Sequence, residues 1–193
     1  QSAPLALVLP PHPRCGCTLT HPFIYRMFSP FVPRGFAAIR FNCRGVGRSQ
    51  GSFDHGTGEL SDAASALDWA QSINPEARSC WIAGFSFGAW IGMQLLMSRP
   101  EGEGFISVAA PASLYDFSFL ATCPSSGLFI HGDKDAVVPI AAVGQLVEKL
   151  KTQKGIVIDQ HIIPGANHFF DGKLQPLMES VTGYLDMRLA NVR

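Results

Sequence analysis

Apolar and polar positions along the chain fall into short unbroken apolar runs separated by stretches of helical period. Leu5-Ala6-Leu7-Val8-Leu9 is closed by Pro10-Pro11-His12-Pro13, which predicts a central parallel strand buried on both faces. Residues 35–41, 79–83, 105–109, 127–131 and 156–163 read as five further strands. Between 58 and 72, Leu60, Ala63, Ala64, Leu67 and Ala70 recur at helical spacing, with Glu59, Asp62 and Asp68 on the other face. Helices are also predicted over 89–97, stopped by Arg99-Pro100, and over 140–152 and 174–189. A helix over 21–32 is limited by Pro22, Pro30 and Pro33. Six strands alternating with five helices predict one α/β domain over residues 1–193, a mostly parallel sheet with helices on both faces.

Composition narrows the partners. Hydrophobic residues make up 47% of the 193 and charged ones 16%, enough apolar surface to build a core. Fifteen Lys and Arg balance fifteen Asp and Glu, so there is no basic field to attract nucleic acid or an anionic membrane. No apolar run approaches the roughly 20 residues that span a bilayer. Five scattered cysteines predict reduced thiols and a cytoplasmic protein rather than a disulfide framework. The start on Gln1, without a methionine, predicts that residues once preceded it. The glycines of Arg44-Gly45-Val46-Gly47 are not a dinucleotide fingerprint, because Gln50 holds the third glycine position and the loop runs on where a helix would begin.

Chemistry concentrates at strand exits. Gly84-Phe85-Ser86-Phe87-Gly88 has the Gly-x-Ser-x-Gly pattern, in which a serine stands on a sharp strand-to-helix turn and glycines relieve the crowding on either side. The fifth strand leaves through His131-Gly132-Asp133-Lys134-Asp135, and the sixth through Gly165-Ala166-Asn167-His168. Nucleophile, acid and base thus follow three different strands in that order, Ser86, then Asp135 with Asp133 as competitor, then His168. His131, at a strand end beside Gly132, reads as structural. Developing charge on an attacked carbonyl needs two donors: the Phe87 amide is one, and the loop after the first strand must supply the other. There Pro10, Pro11 and Pro13 have no N–H, leaving His12 and Arg14. His12, Cys15, Cys17 and His21 also have zinc-ligand identities, but Cys-x-Cys is tighter than the usual spacing, and the expectation is no metal and no cofactor.

On these residues the chain resembles the α/β-hydrolases over nearly its whole length, through the elbow around Ser86, the acid loop His131-Gly132-Asp133-Lys134-Asp135-Ala136-Val137-Val138-Pro139 and the histidine loop. More narrowly it is similar to a small lidless bacterial branch, through Arg40-Phe41-Asn42, Arg44-Gly45-Val46-Gly47-Arg48-Ser49, Phe53-Asp54-His55-Gly56 and Pro164-Gly165-Ala166-Asn167-His168-Phe169-Phe170. The resemblance implies Asp135 as the acid, the His12 amide as second oxyanion donor, and an N-terminal two-strand hairpin that this chain lacks. It departs from that branch at Cys17, where a glycine is usual, and at Thr20 and His21, where asparagines are. Only residues 110–126 separate the fourth and fifth strands, too few for a cap. An open site walled by Phe85, Phe87, Phe169 and Phe119 is expected. The implied activity is a cofactor-free serine carboxylesterase acting on short acyl esters through an acyl-enzyme. Thioester or amide cleavage by the same residues, or a weakly catalytic binding scaffold, are the alternatives; monomer and homodimer stay open.

Overall fold

The computed structural model describes residues 2–191. Its centre is a six-stranded sheet in the order β2-β1-β3-β4-β5-β6, with every neighbouring pair parallel. The strands are β1 (Leu5–Leu9), β2 (Ala37–Arg40), β3 (Cys80–Phe85), β4 (Gly102–Val108), β5 (Gly127–Gly132) and β6 (Ile158–Ile163). The helices are α1 (Pro22–Phe28), α2 (Thr57–Ile73), α3 (Phe87–Met97), α4 (Ile140–Lys151) and α5 (Leu174–Ala190). Three short 310 turns lie at Pro13–Cys15, Val32–Arg34 and Ser118–Thr122. Among the described residues no helix is long and apolar enough to cross a membrane.

Strand alternation builds two cores, one per face. Leu5, Leu7 and Leu9 of β1, with Ile82 of β3, meet Ala63 and Leu67 of α2, Ile91 and Leu95 of α3, and Val143 and Val147 of α4. The intervening Ala6 and Val8, with Trp81, Ala83 and Phe85, meet Phe23, Ile24 and Met27 of α1 and Leu177, Val181 and Leu185 of α5. Burying each such leucine or phenylalanine contributes about 1.5–3 kcal/mol, which is why a strand apolar on both faces takes a central place.

Several boundaries differ from the sequence pattern by one to several residues, three of them for identifiable reasons. α1 is only seven residues long, because Pro30 and Pro33 prevent its continuation and a 310 turn takes over at Val32–Arg34. β2 starts at Ala37, after Gly35 turns the chain with φ 84°. β4 starts at Gly102 rather than 105, drawn out by pairing with Cys80 of β3.

Candidate active site

Strands β1, β3, β4, β5 and β6 leave the same edge of the parallel sheet, and their exit loops converge there. Ser86 lies between β3 and α3 with φ 53° and ψ −116°, a strained conformation for a residue bearing a Cβ. Its neighbours hold it there. A Cβ on Gly84 would collide with the Gly88 carbonyl, and one on Gly88 with the Pro10 carbonyl, so the elbow packs directly against the end of β1. The Ser86 N–H donates to the Val108 carbonyl at 2.8 Å, tying the turn to β4.

The exits of β5 and β6 are laced together. Asp133 Oδ1 accepts the Gly165 N–H at 2.7 Å, and the Lys134 N–H donates to the Ala166 carbonyl at 3.0 Å. Asn167 and Asp171 bond each other twice, backbone N–H to side chain and amide to carboxylate. His168 is thereby delivered between Asp135 and Ser86. Its Nδ1–H donates to Asp135 Oδ2 at 2.7 Å, and its Nε2 stands 2.9 Å from Ser86 Oγ. A carboxylate can only accept, so the proton sits on Nδ1 and leaves Nε2 free to take the serine proton. All three residues are more than nine-tenths buried.

Asp135 is fixed twice more, because Oδ1 accepts the N–H groups of Val137 at 2.9 Å and Val138 at 2.8 Å. Burial pushes its pKa up, but the His168 hydrogen bond, the Val138 amide and the nearby histidines outweigh that and hold it below the ordinary value. His131 is fully buried against this carboxylate. Its Nε2 lies 2.8 Å from the Val138 carbonyl and 3.3 Å from Asp135 Oδ2, two acceptors that require the proton on Nε2. Its Nδ1 has no partner, and burial lowers its pKa. No sequence motif signals this contact.

In front of Ser86 lies a cavity of about 210 Å³. Pro11, His12 and Cys15 from the loop after β1 line it together with Phe87, Pro111, Leu114, Tyr115, Val137 and Phe169. Phe169 sits edge-on to the His168 ring at 5.1 Å. The expected wall residue Phe85 is corrected: it is fully buried, stacks on Phe23 at 4.4 Å and backs the site from beneath. Strand parity is the reason, since Phe85 follows Trp81 and Ala83 onto the α1–α5 face. Phe119 is also absent from the walls and stacks on Phe117 instead. Pro111, Leu114 and Tyr115 escape a reading of the sequence because their segment is a turn without periodicity.

The Phe87 N–H opens α3 and has no intrahelical partner. The His12 ring packs on Phe53 at 4.6 Å and on Phe87 at 5.0 Å, and its Nδ1 accepts the Arg14 N–H at 3.1 Å. Burial, and after it the Arg14 charge, lower its pKa. Phe53 is held in turn by the loop after β2, where Arg44 pairs bidentately with Asp62 at 2.7 and 2.8 Å and buried Glu59 accepts the Gly56 N–H.

The expectation of five reduced cysteines is corrected at one pair: Cys15 and Cys17 are joined as a disulfide, brought together by the turn at Pro13–Cys15 and left-handed Gly16. Cys43, Cys80 and Cys123 are free and buried, and burial pushes Cys43 and Cys80 up to about 12. With its cysteines paired to each other and His12 bonded to Arg14, the set His12, Cys15, Cys17 and His21 does not converge. No group of three or more His, Cys, Asp or Glu side chains is arranged to hold a metal among the described residues.

A parallel sheet with helices on both faces, no cap, and a serine at the elbow between β3 and α3 defines an α/β-hydrolase of the small lidless kind. Residues 12–134 match the X-Pro dipeptidyl-peptidase (S15) family, and the chain belongs to it. A protein of unknown function with this fold from Agrobacterium tumefaciens is 61% identical, with a TM-score of 0.97 over 99% of this chain and 88% of its own. A serine hydrolase without a lid from Xanthomonas campestris is 31% identical, with a TM-score of 0.82 over 95% of this chain and 81% of its own. An uncharacterized protein of Rickettsia prowazekii is 46% identical over 95% of this chain and 79% of its own length.

Proposed function

We propose that the protein is a serine esterase for small esters of short acyl groups. The observation that carries this reading is the hydrogen-bonded line from Asp135 through His168 to Ser86, at 2.7 and 2.9 Å. His168 Nε2 takes the Ser86 proton as Oγ attacks the ester carbonyl, and the Phe87 and His12 amides receive the oxyanion. The imidazolium, stabilised by Asp135, then gives its proton to the leaving alcohol. Water repeats the sequence on the acyl-enzyme, releasing the acid and restoring Ser86.

The cavity, about 210 Å³ and walled by apolar side chains, supports a short acyl group. Each buried methylene gains about 0.8 kcal/mol until the cavity is full, and further ones add nothing. Specificity over a series of p-nitrophenyl esters is expected to peak between acetate and hexanoate, with dodecanoate poorly used. A steady rise through dodecanoate would refute a small acyl cavity. Labelling of wild type but not Ser86→Ala by a fluorophosphonate tests the nucleophile itself, and an unlabelled wild type would favour a binding scaffold.

The family name favours a second reading, cleavage of a peptide amide. A dipeptidyl-peptidase must receive a charged α-amine, for which a carboxylate is the fitting partner, yet no Asp or Glu lines this cavity. An X-Pro p-nitroanilide assayed beside the esters separates the two.

A further inference from the structure

His131 is a buried group to which the esterase mechanism gives no task. It lies one residue from the end of β5, and its side chain, like that of Asp135, is wholly shielded from solvent. Packing alone does not call for a histidine there. An apolar side chain would fill such a position, whereas His131 leaves its Nδ1 buried and without a partner. An unpaired buried polar atom costs about 1–3 kcal/mol, so its presence asks for a reason. The other ring nitrogen supplies one.

Nε2 bears on the Asp135 carboxylate by two routes. Directly, it lies 3.3 Å from Oδ2, the oxygen that receives the Nδ1–H of His168 at 2.7 Å. Through the backbone, its N–H donates to the Val138 carbonyl at 2.8 Å, and the Val138 N–H donates in turn to Asp135 Oδ1 at 2.8 Å. Val138 is fully buried between the ring and the carboxylate it serves. Besides His168, only the Val137 N–H, at 2.9 Å from Oδ1, holds this carboxylate without the help of the ring.

The torsion that turns an aspartate carboxylate is broad and shallow, so its oxygens stay in place only where partners fix them. Two amides pin Oδ1, and the N–H edge of His131 beside Oδ2 opposes a rotation that would carry this oxygen away from the imidazole. Burial holds the pKa of His131 below the ordinary value, against the Val138 bond and the Asp135 charge, which raise it, while His168 lowers it further. The neutral ring has one proton, and with acceptors on both sides of Nε2 that proton belongs there. On the esterase reading, we propose that His131 is a positioning residue: it holds Asp135 Oδ2 in line with His168 Nδ1, from a place outside the cavity wall.

The test is kinetic, on a short p-nitrophenyl ester, with kcat referred to the fraction folded by circular dichroism. His131→Met, similar in volume but without an N–H, should lower kcat about thirtyfold and leave KM within about twofold, because the cavity is untouched. His131→Gln carries an N–H at nearly the reach of Nε2 and should recover most of that loss, even though its stability does not recover. His131→Asn, too short to reach the Val138 carbonyl, should match His131→Met and takes its place if that variant does not fold. In Asp135→Asn there is no carboxylate left to hold, so adding His131→Met should cost less than about twofold more. The assignment is overturned if the Met and Asn variants keep kcat within about threefold of wild type, if Gln does no better than Met, or if the same loss persists in Asp135→Asn. Each of these leaves the esterase reading intact. A wild type that neither turns over an ester nor reacts with the fluorophosphonate overturns both.

Discussion

The two halves of the site are built in opposite ways. On the side of β5 and β6, Asp135, His168, Asp133 and Gly165 are locked by hydrogen bonds within and between their loops, and Asp135 and His168 are buried. On the side of β1, prolines at positions 10, 11 and 13 set the chain's direction, few hydrogen bonds cross the loop, and Arg14, Cys15 and Gly16 are exposed. A proton path through two hydrogen bonds fails if either lengthens, so its supports are redundant. In the proposed mechanism the β1 loop has only to present one N–H, which makes it the adjustable side, and mutations should sort accordingly.

The sharpest break is on the locked side. Ser86→Ala and His168→Ala should each lower kcat/KM by about 10⁴-fold or more, with no greater loss in the double variant, because the residues act as one unit. Thermal melts should show both still folded. A loss of about tenfold or less in either would remove the hydrogen-bonded line from the mechanism.

The next effect separates two aspartates two residues apart. Asp135→Asn should cost about 10⁴-fold by favouring the wrong histidine tautomer. Asp133→Asn should cost no more than about tenfold, since its carboxylate only ties the Gly165 amide across the two loops. Equal losses would mean that lacing the loops matters as much as orienting the imidazole.

Part of the locked side is legible in the sequence, because Asp133 and Asp135 follow an apolar run that reads as a buried strand, although His168 follows the mixed, half-exposed β6. Leu128-Phe129-Ile130 before Asp133 and Asp135, and Trp81-Ile82-Ala83 before Ser86, place the exits without further information. The rest needs information that no local pattern carries. Phe85 adjoins Ser86 in sequence and so reads as a cavity wall, but strand parity turns it to the other face. His131 meets Asp135 only because the chain doubles back after β5 to put the Val138 carbonyl over its ring. On the β1 side the prolines can be read but not the curl they produce, so the spacing of Cys15 and Cys17 does not disclose that they meet.

A smaller effect concerns pH. The pKa of His131 is lowered by burial, so between that value and the ordinary 6.5 the unfolded chain binds more protons than the folded one. Its contribution to stability is complete above 6.5 and declines as pH falls towards the folded value. His12 acts in the same sense, and Asp135, also lowered, adds its loss only as pH falls below 3.8. The melting temperature should therefore drop as pH is lowered from 6.5. His131→Gln should be less stable above that pH by about 1–3 kcal/mol, for the buried bond it disturbs, yet show a shallower drop. An unchanged slope would mean that His131 binds as many protons folded as unfolded over that range, and so contributes nothing to the pH dependence.

The smallest effect expected lies on the adjustable side, in the disulfide between Cys15 and Cys17. A crosslink stabilises mainly by restricting the unfolded chain, and the restriction grows with the loop it closes. With one residue between its cysteines, this one closes among the shortest loops a chain can make. The turn has other supports that survive reduction. The Cys15 N–H donates to the His12 carbonyl at 2.9 Å and the Gly16 N–H to the Pro13 carbonyl at 3.0 Å, while Gly16 holds φ 68° at no steric cost. Pro13 fixes its own φ whatever the sulfurs do. Treatment with a phosphine reductant should accordingly change kcat/KM for a short ester by no more than about threefold and the melting temperature by a few degrees. Cys17→Ser should behave like the reduced protein. A tenfold change in activity on reduction, reproduced by Cys17→Ser and reversed on reoxidation, would show that the His12 amide depends on the crosslink, and that the β1 loop is held as strictly as the loops of β5 and β6.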